Sequence, residues 1–127
     1  MFVKIFKGLE TGDGEAFFKH VADGVDWMVM GTHPLTGKYL SKRAFQQATF
    51  GKLSKVLSIR AQLRVTDVIS RRTWRWVELA SDAPARNRMH FDNYHCWIVR
   101  FEAGCVVEVR AYLDSAMVAE LFRQNPV

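Results

Sequence analysis

Two predicted strands in the second half of the chain carry the side chains that could perform acid–base chemistry. In the strand predicted over residues 89–101, alternate residues face opposite sides of a sheet, so His95 shares a face with Phe91, Asn93, Trp97 and Val99. An imidazole has an unperturbed pKa near neutrality and can act as a general base or bind a ligand. Asn93 could contact the same ligand. The alternative is a core histidine satisfied by one backbone or side-chain partner.

The strand predicted over residues 73–80 contributes one carboxylate, Glu78. We take Trp74, Trp76, Glu78 and Ala80 as its inward set. Glu78 would then lie beside His95, orient the imidazole and raise its pKa. Such a pair could work as an acid–base dyad. The alternative for Glu78 is a surface carboxylate paired with a neighbouring arginine.

The spacing of histidines and cysteines does not indicate metal or disulfide chemistry. Cys96 and Cys105 flank the predicted Glu102–Gly104 turn at unequal distances, so they should lie too far apart to bridge. His20 and His90 show no ligand spacing with another histidine, cysteine or carboxylate. We therefore predict no metal and no cofactor. Unpaired thiols also favour a reducing, cytoplasmic compartment.

The composition predicts one globular domain over residues 1–127. The hydrophobic fraction is 49%, the charged fraction 24% and the net charge +5, values that suit a chain with a full core. The basic excess is spread along the sequence without a groove-reading or RNP-like pattern, so we predict no nucleic-acid partner. No apolar stretch is long enough for a signal peptide or a membrane span, so we predict no membrane partner.

Helical and strand patterns alternate in an α+β order. Residues 2–10 and a segment capped by Asp13 form a predicted helical hairpin, and residues 25–30 a buried strand. Ser41 caps a helix predicted to run to about residue 53. Residues 57–69, 73–80, 89–101 and 105–113 alternate and are rich in β-branched and aromatic types, which predicts long antiparallel strands. Asp114 caps a short last helix.

This order, with the residues that punctuate it, resembles the SnoaL-like branch of the nuclear transport factor 2-like superfamily, which includes ketosteroid isomerase and polyketide cyclases. The points of resemblance are Gly12–Asp13, the apolar strand ending at Gly31, Gly37 before the Ser41-capped helix, Phe91–Tyr94, Trp97–Phe101, the Glu102–Gly104 turn and Val106–Asp114. The resemblance implies a cone, in which a curved antiparallel sheet wraps around N-terminal helices and encloses a mostly apolar pocket. It also implies a homodimer formed through the outer face of the sheet.

The catalytic groups of these relatives are missing at the matching positions. By motif, the tyrosine, base and donor acid of the isomerase fall on Ile5, Met28 and Trp97, all apolar apart from the indole N–H of Trp97. Polyketide cyclases and limonene epoxide hydrolase, another member of the superfamily, place an aspartate in the last strand. That position falls on Ala111. Both of these mechanisms are therefore disfavoured.

The main hypothesis is that the protein binds a small apolar or aromatic molecule in the conical pocket. The residues expected to contact it are Ile5, Met28, Trp76, Asn93, Trp97, Val109, Ala111 and Leu113. The alternative is a lyase, isomerase or hydrolase of this fold that uses His95, with Glu78, as acid and base. A third possibility is a dimerisation domain whose interior is filled by its own side chains, which the absence of a cavity above roughly 100 Å³ would favour.

Overall fold

The computed structural model describes residues 2–59 and 62–126. The elements in chain order are α1 (Phe2–Ile5), α2 (Lys7–Thr11), α3 (Gly14–Phe18), β1 (Val21–Val29), β2 (Gly37–Tyr39), α4 (Lys42–Ala48), α5 (Phe50–Val56), β3 (Leu63–Arg71), β4 (Trp74–Pro84), β5 (His90–Glu102), β6 (Cys105–Leu113) and α6 (Ser115–Gln124). The α+β order is therefore confirmed, and β2 is an addition to the predicted elements.

The strands form one curved, unclosed sheet in the order β2-β1-β6-β5-β4-β3. Neighbouring strands are antiparallel except β1 and β6, which are parallel, so the sheet is mixed rather than wholly antiparallel as expected. Asn93 and Val109 lie on the concave side of this sheet with most of the buried apolar residues. Among the described residues, no helix is long and apolar enough to cross a bilayer.

The predicted helix caps are present where short polar side chains precede a helix. The side chains of Asp13, Ser41 and Asp114 accept hydrogen bonds from the backbone N–H groups of residues 16, 44 and 117 at 3.3, 3.0 and 3.2 Å. Each cap satisfies an N–H group that has no partner within its helix. The helix begun at Ser41 is interrupted at Thr49, whose hydroxyl donates to the Phe45 carbonyl oxygen at 2.7 Å.

The hairpin between β5 and β6 is tighter than the connection before β5. Ala103 and Gly104 both adopt positive φ, at 50° and 79°, as a two-residue hairpin turn requires. Cys105 pairs with Glu102, whereas Cys96 pairs with Tyr112 further along the hairpin. Both thiols are free, as predicted.

Candidate functional site

An apolar cavity lies between the concave face of the sheet and helices α4 and α5. Its volume is about 70 Å³. The residues that line it are Trp27, Val29, Leu35, Phe45, Thr49, Phe50, Leu53, Leu57, Gln62, Leu63, Ser81, Ala83, Phe91, His95, Trp97, Ala111 and Leu113. All of these side chains are neutral types or histidine, so within the described residues the cavity has no Lys, Arg, Asp or Glu in its wall.

On β5, the predicted inward face is observed. Phe91, Asn93, Trp97 and Val99 are buried, and His95 lies on the same face with part of its surface in the cavity. Trp97 packs against Phe6, Phe17 and Trp27 with ring centroids 6.0, 6.1 and 5.2 Å apart. At the position that the resemblance matched to a donor acid, the ring of Trp97 therefore forms part of the cavity wall.

On β4, the predicted inward face is wrong by one residue. Val77 pairs with Trp97, and Ser81 pairs with Asn93, so the odd-numbered residues of β4 face inward. Glu78 and Trp76 therefore face outward, where they pair with Cys96 and Ile98. Glu78 is exposed and Trp76 half-buried, and neither lines the cavity. The predicted dyad of Glu78 with His95 is contradicted, because the two side chains lie on opposite faces of the sheet.

Two apolar residues that we expected in the pocket wall, Ile5 and Met28, do not line the cavity. In β1, Trp27 faces inward and is fully buried, whereas Met28 lies on the outer face opposite Lys38 and Arg110. Ile5 is half-buried and packs against the core, but it does not line the cavity. Its neighbour Phe6 packs against Trp97, which does line the cavity. The absence of a carboxylate at this position is unchanged, because neither Trp27 nor Met28 carries one and Asp26 turns outward to an ion pair with Lys38.

On β6, the predicted inward positions hold over most of the strand. Ala111 and Leu113 line the cavity, and Val109 is buried on the same face without lining it. Strict alternation from Val109 would also place Val107 inward, and this does not hold. A register shift opposite Arg100 and Phe101 makes Val107 the extra residue of a bulge, so that Val106 is the buried one.

The main polar contact inside the cavity joins His95 to Ser81. Ser81 Oγ lies 3.1 Å from His95 Nε2, and it lies 3.5 Å from the Asn93 carbonyl oxygen. Because 3.5 Å exceeds the usual O–H···O distance, we assign the hydroxyl proton to Nε2, which leaves Nδ1 carrying the ring proton. Burial among apolar side chains lowers the pKa of His95 to about 4, so the ring is neutral at pH 7.

The indole of Trp27 is the second polar feature of the cavity wall. Its ring is stacked on Phe45 with centroids 3.8 Å apart and planes 18° from parallel. Nε1 is the one fully buried side-chain nitrogen or oxygen of the described residues that has no hydrogen-bond partner. An unmade hydrogen bond of this kind costs about 1–3 kcal/mol of stability.

Asn93 is buried beside the cavity but serves the fold. Its Oδ1 accepts from the Asp114 backbone N–H at 2.9 Å, and its Nδ2 donates to the Asp114 carbonyl oxygen at 3.3 Å. These two bonds attach the start of α6 to β5. The amide has no place in the cavity lining, so the structure does not place Asn93 against the predicted ligand.

A second hollow opens on the other side of helix α5. This groove, of about 370 Å³, is bounded by α2, α3, α4 and α5 and includes the charged side chains of Asp13 and Glu15. Phe50 and Leu53 line both the groove and the inner cavity. These two side chains therefore form the partition between the cavity and this groove.

The outer face of the sheet holds a polar cluster that sequence spacing did not indicate. Asp82, His90 and Asp92 place one potential metal-ligand atom each within 4.8 Å of one another. Asp82 and Asp92 are register partners that share a hydrogen bond, which lowers the pKa of Asp82 and raises that of Asp92. All three side chains are exposed, so the group lacks the buried surroundings of a built metal site.

Comparison with solved structures identifies the architecture. A protein from Burkholderia thailandensis, described as NTF2-like, superposes with a TM-score of 0.80 over 93% of this chain and 91% of its own, at 17% identity. The chain has the nuclear transport factor 2-like fold. A second similar structure is a protein of unknown function from Xanthomonas campestris, described as having a cystatin-like fold. Its TM-score is 0.78 at 21% identity, and the match covers 91% of this chain and 90% of its own.

A third similar structure is TerC, co-crystallised with polyporic acid. It has a TM-score of 0.80 at 15% identity and covers 96% of this chain and 95% of its own. At these identities, the likeness establishes the fold and not the activity. No protein-family model matches the sequence. The search of curated proteins gives no match either.

Two site residues, Ser81 and Trp27, were not singled out from the sequence. Ser81 lies just beyond the strand predicted over residues 73–80, and its register opposite Asn93 follows because β4 continues to Pro84. Trp27 belongs to a run of five apolar or aromatic residues interrupted only by Asp26, so period-two alternation gives no clear face. The available signal was Asp26, because a carboxylate faces solvent far more often than core and its neighbour then faces inward.

Proposed function

We propose that the protein binds a small, neutral, largely apolar molecule in the cavity of its cone. The observation that carries this proposal is the cavity wall, which combines apolar and aromatic side chains with the polar pair of Ser81 and His95 and, among the described residues, contains no Lys, Arg, Asp or Glu. Ligand sites typically have this composition, in which few polar groups orient a mostly apolar molecule. TerC, whose structure superposes on this chain, was co-crystallised with a small molecule, polyporic acid.

The size of the cavity limits the ligand. A volume of about 70 Å³ is well below the several hundred that drug-sized ligands occupy. It is also below the roughly 100 Å³ that separates an open cone from a filled one, so volume alone favours a filled interior. Binding is nevertheless supported by the partition of Phe50 and Leu53, because rotation of two side chains would join the cavity to a groove of about 370 Å³.

Catalysis by His95 is the second candidate, favoured by its contact with Ser81 inside the cavity. Glu78 has no part in it, because this carboxylate faces outward. A general base works best when its pKa lies near the working pH, and burial has lowered the pKa of His95 to about 4. Its hydrogen-bonded Nε2 is also engaged by Ser81. These properties suit hydrogen bonding to a ligand better than proton abstraction.

The outer face of the sheet is proposed to bind a second copy of the chain. Ile69, Trp76 and Ile98 are register partners across β3, β4 and β5 and form an apolar row on that face. Ion pairs of Arg100 and Glu108 flank the row, which is the pattern of an apolar centre with a charged rim. Light scattering should give twice the chain mass, and Ile69→Glu should give the monomer; a monomeric native protein would contradict the dimer.

Titration of the protein with two small ring compounds, followed by its methyl NMR signals, tests the main proposal. Cyclopentanone and methylenecyclopentane have nearly the same shape, and either compound would enter once rotation of Phe50 and Leu53 enlarges the cavity. Binding should shift the methyl NMR signals of Val29, Leu53 and Leu113, which line the cavity, and leave that of Ile98 on the outer face unchanged. Glu78→Gln is the matched control that should bind as the native protein does. If neither compound moves the cavity methyl signals up to solubility, the proposed function is rejected.

The same samples separate binding from catalysis. A catalytic His95 would exchange the protons next to the ketone of cyclopentanone with solvent deuterium, and His95→Gln would abolish the exchange. Binding without enzyme-dependent exchange is the result expected here.

A further inference from the structure

Trp27 holds its indole in one orientation through contacts on both sides. The ring stacks on Phe45 at 3.8 Å, and it meets Trp97 edge-on with centroids 5.2 Å apart and planes 80° to each other. Because the side chain is fully buried, it cannot turn its N–H to a backbone acceptor without breaking these contacts. The donor thus stays without a partner, in a side chain that lines the cavity.

The remaining polar groups of the wall supply few acceptors. The Thr49 hydroxyl donates to the Phe45 carbonyl oxygen at 2.7 Å, and that of Ser81 is assigned to His95 Nε2. His95 Nδ1 then carries a proton and is a donor in its turn. Gln62 lies at the exposed end of the cavity. The Ser81 and Thr49 oxygens can still accept a hydrogen bond. In contrast, Trp27 Nε1 and His95 Nδ1 are side-chain donors of the described wall that remain without a partner.

Resting on the proposed binding function, we propose that the ligand is a neutral carbonyl compound whose oxygen accepts a hydrogen bond from Trp27 Nε1. A ketone, aldehyde or ester oxygen is an acceptor without a proton of its own, so it matches the unpartnered donor of Trp27. A carboxylate would bury a charge with no Lys or Arg among the described lining residues to pair with it.

The indole N–H signal of Trp27 in a ¹H–¹⁵N spectrum provides the test. Trp27→Phe keeps an aromatic ring to stack on Phe45 and removes only one indole signal, which assigns it. In the native protein, cyclopentanone should move that signal downfield, whereas methylenecyclopentane should leave it near its original position. Cyclopentanone should also bind about tenfold more tightly than the hydrocarbon, and this preference should fall to about twofold or less in Trp27→Phe.

Two further variants locate the donor. Trp76→Phe makes the same change on the outer face and should keep the tenfold preference. Trp97→Phe removes the other indole of the cavity wall and should keep most of it. If the preference survives in Trp27→Phe or is lost only in Trp97→Phe, the assignment to Trp27 is overturned.

Other outcomes bear separately on the two proposals. If both compounds move the cavity methyl signals equally and the Trp27 signal stays in place, the carbonyl preference fails while binding stands. If neither compound binds, both proposals fail. If Trp27→Phe does not fold, the native protein still decides, because the relative affinities of the two compounds and the Trp27 signal are measured without the variant. Cyclopentanecarboxylate should not bind at pH 7, and its binding as tightly as the ketone would contradict the neutral-ligand class.

Discussion

Along β4 and β5, one face of the sheet carries Val77, Ser81, His95 and Trp97, and the other carries Glu78, Asp82, Asp92 and Arg100. The inner face presents neutral groups to a narrow cavity, whereas the outer face has carboxylates, guanidinium groups and half-buried aromatic rings. The two sets alternate residue by residue in the same two strands. The chemistry available to this protein therefore depends on the parity of each strand, and a one-residue error transfers a residue to a different environment.

Ala111→Asp should have the largest effect, because it places a carboxylate in a cavity whose described wall has no charged side chain. Ala111 is buried and lines the cavity, at the position where the resemblance predicts an aspartate in catalytic relatives. An unpaired buried charge should reduce the free energy of unfolding by about 3–5 kcal/mol, measured by urea denaturation at pH 7. The control is Tyr112→Asp on the exposed face of the same strand, which should cost less than about 1 kcal/mol. Equal losses would contradict the assigned faces.

Lowering the pH should weaken the inner face through His95. Its pKa is about 4 in the folded protein and 6.5 in the reference state, so the unfolded chain binds more protons between these values. The stabilisation is complete above pH 6.5 and is lost as the pH falls towards 4, by roughly 3 kcal/mol in all. Urea midpoints from pH 7 to pH 4 should show this slope, and His95→Gln should remove most of it.

A smaller pH dependence of the free energy of unfolding should remain in His95→Gln. Burial also lowers the pKa of His33, whose Nδ1 accepts from the Leu35 N–H at 3.1 Å. If His95→Gln instead leaves the pH dependence unchanged, the imidazole is not held neutral by the interior.

Asn93→Ala should separate a structural role from a binding role. Loss of the two bonds to Asp114 should lower the free energy of unfolding by about 2 kcal/mol, because the start of α6 loses its attachment. Affinity for cyclopentanone should change less than twofold. Asp92→Ala, the adjacent residue on the outer face, should change stability by no more than about 0.5 kcal/mol. A large loss of affinity in Asn93→Ala would return Asn93 to the binding site.

The fold could be predicted where local signals were strong. Asp13, Ser41 and Asp114 marked helix starts by their ability to cap backbone N–H groups, and the turn before Gly104 fixed the register of β5 and β6. Because that register was right, Trp97, Ala111 and Leu113 were correctly placed against the interior.

The site was predicted less well where alternation was ambiguous. β4 runs from Trp74 to Pro84 with bulky residues on both faces, so its pattern did not distinguish the inward set, and Glu78 was assigned to the wrong one. In β1, the apolar Met28 and Trp27 are neighbours, so their own side chains do not indicate which one faces outward; the structure places Met28 outside, opposite Lys38 and Arg110. The bulge at Val107 breaks period-two parity without a glycine to signal it. Cavity volume depends on packing of the whole chain and has no sequence signal.

Glu108→Gln should have the smallest effect and tests the outer face directly. The Glu108 carboxylate lies 3.1 Å from Arg100 Nε and 3.3 Å from Arg110 Nη2, and both guanidinium groups lie over the Trp74 ring. Because these groups are in contact with solvent, removal of the charge should cost less than about 1 kcal/mol. The cost should vanish in about 1 M salt, where the screening length is about 3 Å.

The matched change for that network is Glu102→Gln, which removes only the more exposed contact to Arg100 at 2.8 Å and should cost still less. A loss in Glu108→Gln as large as that of Ala111→Asp, and insensitive to salt, would mean that Glu108 is shielded from solvent. In a chain whose outer face is proposed to bind a second copy, such shielding has an identifiable source. The loss should then shrink on dilution to the monomer, whereas shielding within one chain would not depend on protein concentration.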